Sequence, residues 1–432
     1  MADETKTITV SALARVEGEG RLTLRVRGDR VEDAELEIFE PPRLFEALLR
    51  GRAASEAPDI TARICGICPV AYQMSACYAV EAAAGAAVTP QIAELRRLLY
   101  CGEWIQSHAL HIVMLHAPDF LGVDDVIGLS ALAPERVRGG LAIKKAGNAI
   151  MTLVGGREVH PINVRVGGFY RCPPRESVRA LVPVLERARD EARELAAWAS
   201  GFSFPDLERD VELVALRDGV HYPFCDGRLV SNRGLDIEAS AFEEHVVEEH
   251  VARSTALHAR IVGRETYVCG PLARFALNYD VLGERARDTA RSIGLEPSCR
   301  NPYKTILARA VELVQALDEA IAITSRYEPF TPSSVDLEYR EARGTAITEA
   351  PRGILYHRYD VDASGALVTA RIVPPTSQNL RSIELDLIAL GPAIAGLEEG
   401  PARRLAEQAV RNYDPCISCS THFLKVVVDR RP

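Results

Sequence analysis

Four of the ten cysteines form two Cys-x-x-Cys pairs, and these are the residues of the chain best suited to metal chemistry. Cys65 and Cys68 lie in Arg-Ile-Cys-Gly-Ile-Cys at 63–68, whereas Cys416 and Cys419 lie in Asp-Pro-Cys-Ile-Ser-Cys-Ser-Thr-His at 414–422. Four thiolates make a soft ligand set. Because a zinc ribbon or knuckle usually closes its pairs within a few tens of residues, pairs at opposite ends of the chain predict a site that the whole fold must build.

The spacing alone leaves four interpretations open: a redox pair, a structural zinc site, a catalytic metal site and no metal at all. Neither pair has the βαβ context of a thioredoxin-type redox motif. The other six cysteines are scattered singly, which argues against a secreted disulfide framework. We expect each of them to be a small buried hydrophobe; they are Cys77, Cys101, Cys172, Cys225, Cys269 and Cys299.

Composition excludes several classes of function. The 432 residues are 47% hydrophobic and 26% charged, a balance typical of globular proteins with a large core. The net charge of −9 argues against nucleic-acid binding by phosphate neutralisation. The sequence offers no apolar stretch of membrane-spanning length. Residues 1–7 are polar and acidic and lack the regions of a signal peptide, so we expect a cytoplasmic protein.

The elements that must position the cysteines are mostly helices. Apolar periodicity and Pro/Gly punctuation predict helices at 43–51, 70–86, 91–115, 134–153, 177–200, 301–325 and 401–412, and a loop followed by a helix at 377–397. Strand patterns predict a hairpin within 7–39 that turns at Gly28, and strands at 335–338, 353–360, 367–373 and 422–429 with turns at Gly344 and Gly365. The charged run 243–249 is expected to face solvent.

These elements predict a mainly α (α+β) fold, with a buried bundle of long helices and small peripheral antiparallel β regions. No internal repeat, low-complexity segment or linker is visible, which favours a single integrated domain over 1–432. The residues that could do chemistry lie at the two ends of the sequence. The bundle must therefore bring those ends together.

The cysteine motifs and three further segments resemble, in the same order, elements of the large catalytic subunit of nickel–iron hydrogenases. The further segments are Ala-Arg-Val-Glu-Gly-Glu-Gly at 14–20, Pro-Arg-Leu-Phe-Glu at 42–46 and Glu-Ala-Pro-Arg-Gly at 349–353. The sequence Cys-Pro-Val-Ala-Tyr-Gln-Met-Ser-Ala at 68–76 resembles that of the cytoplasmic, NAD(P)-linked branch of this family, whose members are sometimes called sulfhydrogenases. The resemblance implies the large-subunit fold and reversible oxidation of H2 to protons and electrons.

The same resemblance implies how the cysteines divide between two metals. Cys65 and Cys416 would be terminal nickel ligands, and Cys68 and Cys419 would bridge nickel to iron. The iron would carry cyanide and carbon monoxide ligands, so it would need no further protein ligand. A soft, polarisable metal suits a thiolate site.

Catalytic roles also follow from the resemblance. H2 would be split heterolytically, and Glu17 would take the proton from the sulfur of Cys416. Arg352 would direct a permanently charged guanidinium at the open side of the metals. The alternative for Arg352 is a structural ion pair, and the alternative for Glu17 is an exposed loop residue.

Further ligand contacts are implied near the C-terminal motif. Pro351 and Thr376 would bind the cofactor, with the hydroxyl and backbone N–H of Thr376 holding a cyanide; the alternative role for Thr376 is a helix N-cap. A magnesium ion, or a second iron, would be bound by Glu46, the backbone carbonyl of Ile372 and His422. Hard oxygen ligands favour magnesium there.

Two positions depart from the family pattern. Tyr72 replaces a histidine that many members carry four residues after the second cysteine, so a hydrogen-bond donor to sulfur would change or disappear. Ser107 replaces an aspartate that often precedes the helix histidine, here His108. His108 and His111 share one helix face, and we expect them to make hydrogen bonds in the core rather than to bind metal.

The chain must pass its electrons to other subunits. It has no four-cysteine cluster motif besides the two pairs and no GxGxxG fingerprint. We therefore expect a small subunit with Fe–S clusters, diaphorase subunits that bind FAD and NAD(P)H, and NAD(P)+ or sulfur and polysulfide as acceptors. The resemblance also implies a maturation protease that removes 423–432 as a C-terminal propeptide. The competing interpretations are a non-catalytic relative from respiratory complex I, which would lack the four cysteines, and a zinc-stabilised scaffold.

Overall fold

The computed structural model describes residues 5–421, with Thr5 described by its backbone only. The α-helices are α1 (Phe45–Leu49), α2 (Ala57–Thr61), α3 (Pro69–Ala84), α4 (Pro90–Leu110), α5 (Ala117–Phe120), α6 (Val126–Leu132), α7 (Pro134–Gly155), α8 (Arg175–Arg179), α9 (Val182–Ser200), α10 (Phe242–His245), α11 (Pro271–Leu277), α12 (Glu284–Ser292), α13 (Thr305–Arg326), α14 (Pro375–Ala389), α15 (Gly391–Ala395) and α16 (Glu399–Arg411). The strand predicted at 422–429 lies outside the described residues.

The strands form small antiparallel sheets around the helices. They are β1 (Thr5–Val10), β2 (Gly20–Arg27), β3 (Arg30–Ile38), β4 (Val164–Arg165), β5 (Gly168–Phe169), β6 (Val214–Arg217), β7 (Arg228–Ser231), β8 (Asp236–Ile237), β9 (Val246–His250), β10 (Leu257–Ile261), β11 (Ala342–Ala350), β12 (Gly353–Val361) and β13 (Leu367–Val373). The three-stranded sheets have the orders β1-β2-β3, β6-β7-β8 and β11-β12-β13. This arrangement matches the predicted peripheral β regions.

Long helices build the centre of the protein. Helix α4 packs against α7 and α13, and α9 packs against the same two partners. Helix α3 is apolar on nearly every side, and 13 of its 16 residues are buried, which confirms the prediction of a deeply buried helix. The largest hydrophobic cluster runs from Leu49 to Cys419 and includes all four paired cysteines. The ligand candidates therefore lie in the interior of the bundle.

The helix predicted at 91–115 continues further than expected. After α4 the chain makes a π-helical segment, His111–His116, and enters α5 without leaving the helical path. Pro118 lies at the second position of α5, directly after the π-helical segment, and does not interrupt the helical path. The segment 177–200, predicted as one helix, is instead divided into α8 and α9. Pro183 causes the division, since it has no N–H for a bond to the preceding turn.

The N-terminal sheet and the C-terminal helices form a second, smaller core. The predicted hairpin is present: β2 pairs with β3, and Gly28 lies at the turn with φ 59°. Helices α14 and α15 pack on β3, and α16 packs on β1. This packing brings the start of the chain to the helix that precedes the second cysteine pair.

The sheet β11-β12-β13 corrects two predictions. Residues 335–338 form no strand, and Gly344 lies inside β11 instead of at a turn. A Cβ at Gly344 would come within 1.9 Å of the Ala79 carbonyl oxygen, so the absence of a side chain lets β11 approach α3. The strands predicted at 353–360 and 367–373 are confirmed, as is the turn at Gly365.

The charged run 243–249 is only partly a solvent-facing surface. Glu244 and Glu249 are exposed, but the side chain of Glu248 is 5% exposed and forms an ion pair of 2.6 Å with Arg371. Within residues 5–421, no helix is long and apolar enough to cross a membrane. The single-domain organisation over 1–432 stays a prediction.

Candidate metal centre

The two Cys-x-x-Cys pairs meet inside the bundle. The Sγ atoms of Cys65, Cys68, Cys416 and Cys419 all lie within 4.8 Å of one another. The four residues are 1–3% exposed. The Sγ atoms of Cys65 and Cys68 lie 2.8 Å apart, too far for a disulfide bond of about 2.05 Å, and all four cysteines are free. Four buried, reduced sulfurs around one point are a donor set for soft metal ions.

The first pair belongs to the loop that leads into α3. The backbone N–H groups of Ile67 and Cys68 donate to the Sγ of Cys65 at 3.4 and 3.2 Å. Burial raises the pKa of the Cys65 thiol, but hydrogen bonds from Cys416 and the other neighbouring thiols lower it well below its ordinary value of 9.0. Cys65 is therefore the sulfur that this arrangement favours as a thiolate.

The second pair follows α16. The N–H of Cys416 donates to the hydroxyl of Thr376 at 3.0 Å. Thr376 lies in the first turn of α14, whose N-cap is Pro374, so the alternative role of Thr376 as the N-cap is wrong. Burial raises the pKa of the Cys416 thiol well above its ordinary value. Thr376 therefore lies next to the sulfur cluster, and its hydroxyl oxygen contacts the backbone of the loop that carries Cys416.

Glu17 contacts the second pair directly. The Sγ of Cys416 donates to Glu17 Oε2 at 3.0 Å, and the N–H of Ser418 donates to the same oxygen at 3.1 Å. The N–H of Ile417 bonds the Glu17 carbonyl at 2.9 Å. The neighbouring Gly18 makes this approach possible, because it has φ 88° and a Cβ there would lie 2.7 Å from the Ile417 side chain. The expected contact between Glu17 and Cys416 is present.

Arg352 is both a structural partner and a neighbour of the sulfurs. Its Nε donates to the Asp414 carbonyl at 2.7 Å, and a terminal nitrogen donates to the Asp414 carboxylate at 3.2 Å. Burial lowers the pKa of Arg352, but Asp414 and the cysteines outweigh that effect and raise this pKa well above its ordinary value. The guanidinium is thus held as a fixed positive charge beside Cys416 and Cys68.

A buried ionic network surrounds this pair. Arg309 lies 3.4 Å from Asp414, and burial lowers the pKa of Arg309 to about 10. Arg274 contacts both Glu312 and Glu349 at 2.8 and 3.0 Å. All these side chains are at most 2% exposed, so each charge depends on its partners for stabilisation.

The two helix histidines make hydrogen bonds in the core, as expected. His108 Nε2 lies 2.8 Å from Glu312, and its Nδ1 accepts a hydrogen bond of 3.2 Å from Arg309. Burial lowers the pKa of His108 to about 4, so the ring is neutral. His111 Nε2 lies 2.8 Å from the carbonyl oxygen of Arg411. Neither ring contributes to the sulfur cluster.

The two departures from the family pattern lie close to the centre. Burial, together with the charges of Cys419 and Cys68, raises the pKa of Tyr72 well above 10. The hydroxyls of Tyr72 and Ser107 are buried and find no hydrogen-bond partner among the described residues. Among the described residues, the hydroxyl of Tyr72 therefore makes no hydrogen bond to a cysteine sulfur, and the effect of this replacement on the centre stays a prediction.

The remaining predicted ligands are Glu46, Ile372, His422 and Pro351. Glu46 Oε1 accepts a hydrogen bond of 2.8 Å from the N–H of Ile372, so these two are neighbours, whereas His422 lies outside the described residues. Pro351 directs its carbonyl at Arg274, at 2.9 Å. Magnesium binding by Glu46 and Ile372, and cofactor binding by Pro351, stay predictions.

Sequence reasoning missed a residue that joins the two cysteine loops. The guanidinium of Arg43 donates to the carbonyl of Ile64 at 2.7 Å and also to the carbonyl of Ser418. Its backbone N–H donates to Thr421 at 2.6 Å. Arg43 belongs to the Pro-Arg-Leu-Phe-Glu segment noted for Glu46, but backbone carbonyl acceptors leave no signal in a sequence.

Comparisons with known proteins agree with this geometry. Residues 43–137 match a family model described as nickel-dependent hydrogenase. Subunit alpha of sulfhydrogenase 2 from Pyrococcus furiosus is 34% identical over 427 residues, covering 97% of this chain and 100% of the relative. Subunit alpha of sulfhydrogenase 1 from the same organism is 30% identical, covering 97% and 98%. A solved NAD+-reducing NiFe hydrogenase in the H2-reduced state has a TM-score of 0.87 at 26% identity, covering 96% of this chain and 99% of that one, which confirms the expected fold.

Proposed function

This chain belongs to the nickel-dependent hydrogenase family as a catalytic large subunit that acts on H2, and from that premise we propose that Cys65, Cys68, Cys416 and Cys419 hold a nickel–iron centre for reversible H2 oxidation. The observation that carries the proposal is the convergence of four buried sulfurs within 4.8 Å. Thiolates suit nickel, and no hard oxygen ligand is needed among them.

The division of the sulfurs between the metals follows the family resemblance. Cys65 and Cys416 would hold nickel terminally, and Cys68 and Cys419 would bridge to iron, which carries cyanide and carbon monoxide. When bound, this centre supplies soft metals that polarise H2 so that a base can remove a proton. The protein contributes the base, the fixed charge and the exclusion of water around them.

Glu17 is the proposed base. Its Oε2 accepts the S–H hydrogen bond of Cys416 at 3.0 Å, a distance at which a proton can pass from sulfur to carboxylate. The Ser418 N–H holds the same oxygen in place. Glu17 is only partly buried, so it can release the proton towards the surface.

Arg352 is the proposed fixed charge. A guanidinium keeps its proton throughout turnover, and two contacts to Asp414 fix its orientation. Thr376 and Pro351 are proposed to line the pocket for the diatomic ligands. Support for Thr376 comes from its hydroxyl, which accepts a hydrogen bond from the N–H of a ligand cysteine, Cys416.

A second metal is proposed near the C-terminal motif. Magnesium, or a second iron, would be bound by Glu46, the carbonyl of Ile372 and His422. The contact between Glu46 and Ile372 supports this proposal. Oxygen ligands favour magnesium over a softer ion.

Electron transfer requires partner subunits. We propose a small subunit with Fe–S clusters and diaphorase subunits that bind FAD and NAD(P)H, with NAD(P)+ as acceptor. The structural neighbour described as NAD+-reducing supports the acceptor, and the relatives named sulfhydrogenases support sulfur or polysulfide as an additional one. A cytoplasmic location, and removal of 423–432 by a maturation protease, also stay proposals.

Infrared spectroscopy with metal quantification on the purified complex tests the proposal. We expect nickel and iron together with bands of cyanide and carbon monoxide. Cys68→Ser should lose the bands, whereas Cys299→Ser, outside the cluster, should retain them. Zinc alone without such bands would favour a structural scaffold, and full H2 activity in Cys68→Ser would exclude Cys68 as a bridge.

A further inference from the structure

Helix α3 begins without a cap of its own. Its N-cap residue is Cys68, whose side chain makes no capping hydrogen bond because it lies in the sulfur cluster. Pro69 has no N–H, so the first donors that need an acceptor are the N–H groups of Val70 and Ala71. Both donate to the carboxyl group of Glu103, at 2.6 and 3.1 Å. A neighbouring helix thus supplies the acceptor that Cys68 cannot provide.

Gln106 contacts the same segment on the other side of Cys68. Its Nε2 donates to the carbonyl oxygen of Ile67 at 2.8 Å. That carbonyl belongs to the peptide group whose N–H, on Cys68, donates to the sulfur of Cys65 at 3.2 Å. Because hydrogen bonds in series polarise one another, the contact from Gln106 strengthens the donor that faces the sulfur.

Glu103 and Gln106 act from one rigid surface. They lie three residues apart on α4, which places them on the same helix face. Helix α4 is held between α7 and α13, and the two side chains are 0% and 7% exposed. Buried polar groups are costly unless they are hydrogen bonded. The partners that satisfy these two are the backbone groups that flank Cys68.

We propose that Glu103 and Gln106 are positioning residues, which together form a clamp on the backbone on either side of Cys68, at the carbonyl of Ile67 and at the N–H groups of Val70 and Ala71. The clamp fixes the direction of the Cys68 side chain and aligns its N–H with the sulfur of Cys65. The inference rests on the proposed function in so far as Cys65 and Cys68 are metal ligands. Helix α4 thus sets the geometry of the first cysteine pair, whereas Glu17 and Thr376 contact the second pair.

Hydrogen exchange on the full-length, metal-free chain tests the Glu103 half. In Glu103→Leu we expect the Val70 and Ala71 amides to exchange about tenfold faster or more, because two buried N–H groups lose their acceptor. Glu103→Gln keeps the shape and one acceptor, so one of the two amides should accelerate. Gln91→Leu, at an exposed position of the same helix, should leave both amides unchanged. Unchanged exchange in both Glu103 variants would overturn the clamp.

Infrared spectroscopy of the assembled complex tests the Gln106 half. Gln106→Met keeps the side-chain length but removes the donor, so we expect the cyanide and carbon monoxide bands to shift while the nickel content stays at the wild-type level. Gln91→Met should give wild-type bands. Identical bands in Gln106→Met would overturn this half. If the wild-type complex lacks such bands, the proposed function fails, and the exchange measurement still decides the clamp.

Discussion

The carboxylate of Glu17 lies 3.0 Å from the sulfur of Cys416, although 399 residues separate the two in the chain. The contact is supported on both sides, because the N–H of Ser418 donates to the same carboxylate oxygen and the N–H of Ile417 donates to the Glu17 carbonyl. A proton on the sulfur therefore has an acceptor that the backbone holds in place.

Replacing Glu17 by Gln should stop proton transfer while leaving the centre intact. The amide keeps the shape but cannot accept and release a proton, so we expect H2 oxidation and H2/D2O exchange to fall by about 10²–10⁴-fold. Nickel content and infrared bands should match the wild type. Glu19→Gln, at an exposed position two residues away, is the matched control. Wild-type exchange in Glu17→Gln would remove Glu17 from the proton route.

Replacing Arg352 by Lys should lower turnover at an unchanged positive charge. Lysine cannot make both contacts to Asp414 that the planar guanidinium makes. Losing one charge-assisted hydrogen bond corresponds to about 1.5–3 kcal/mol, so we expect kcat to fall by about 10- to 100-fold. Arg343→Lys, in an exposed ion pair with Asp360, should leave kcat unchanged. Equal kcat in the two variants would show that only the charge of Arg352 matters.

Replacing Arg43 by Gln should loosen the junction between the two cysteine loops. The guanidinium bonds the carbonyls of Ile64 and Ser418, and a shorter amide cannot reach both. We expect the free energy of unfolding to fall by about 1.5–3 kcal/mol and bound nickel to be lost faster to a chelator. Arg50→Gln is the control, since Arg50 is exposed on the same segment. Chelation at the same rate in both variants would contradict the junction role.

Replacing Gly344 by Ala should destabilise the protein strongly. A Cβ there would lie 1.9 Å from the Ala79 carbonyl oxygen, so β11 and α3 would have to separate. Overpacking of this kind costs about 1–3 kcal/mol or more, measured as a lower denaturant midpoint. Gly396→Ala should have little effect, because Gly396 has φ −80° and a Cβ there would meet no atom of the described residues within 4 Å. A neutral Gly344→Ala would show that the two elements do not pack this closely.

Glu349 should make the stability depend on pH. Burial raises its pKa from 4.5 to about 7, so between these values the folded chain holds a proton that the unfolded chain has lost. Stability should therefore fall as pH rises from 4.5 to 7, by up to about 1.4 kcal/mol per pH unit, and then stay constant. The fall in the unfolding midpoint between pH 5 and 8 should be smaller in Glu349→Gln than in the wild type, and unchanged in Glu296→Gln, at an exposed position; Glu248, whose pKa is also raised to about 7, contributes the same kind of slope in all three proteins. Equal slopes in all three proteins would contradict it.

Local patterns predicted the local elements well. The periodicity of 70–86 and 134–153 gave α3 and α7, and the alternation within 7–39 gave the hairpin of β2 and β3. Errors arose where tertiary contacts override local signals. Gly344 resembles a turn residue in the sequence, but it serves a close approach to α3 that only the packed structure creates.

The sequence by itself determined the chemistry: two pairs of thiols, a glutamate and an arginine in recognisable motifs, and enough apolar helix to bury them. These follow from residue type and short-range spacing, which a linear chain displays directly. Only the tertiary structure decided which groups meet: Glu17 with Cys416, Arg352 with Asp414, Arg43 with both cysteine loops, and Glu103 and Gln106 with the backbone around Cys68. Such contacts join residues far apart in the chain and often use backbone groups, which every residue carries and no sequence pattern distinguishes.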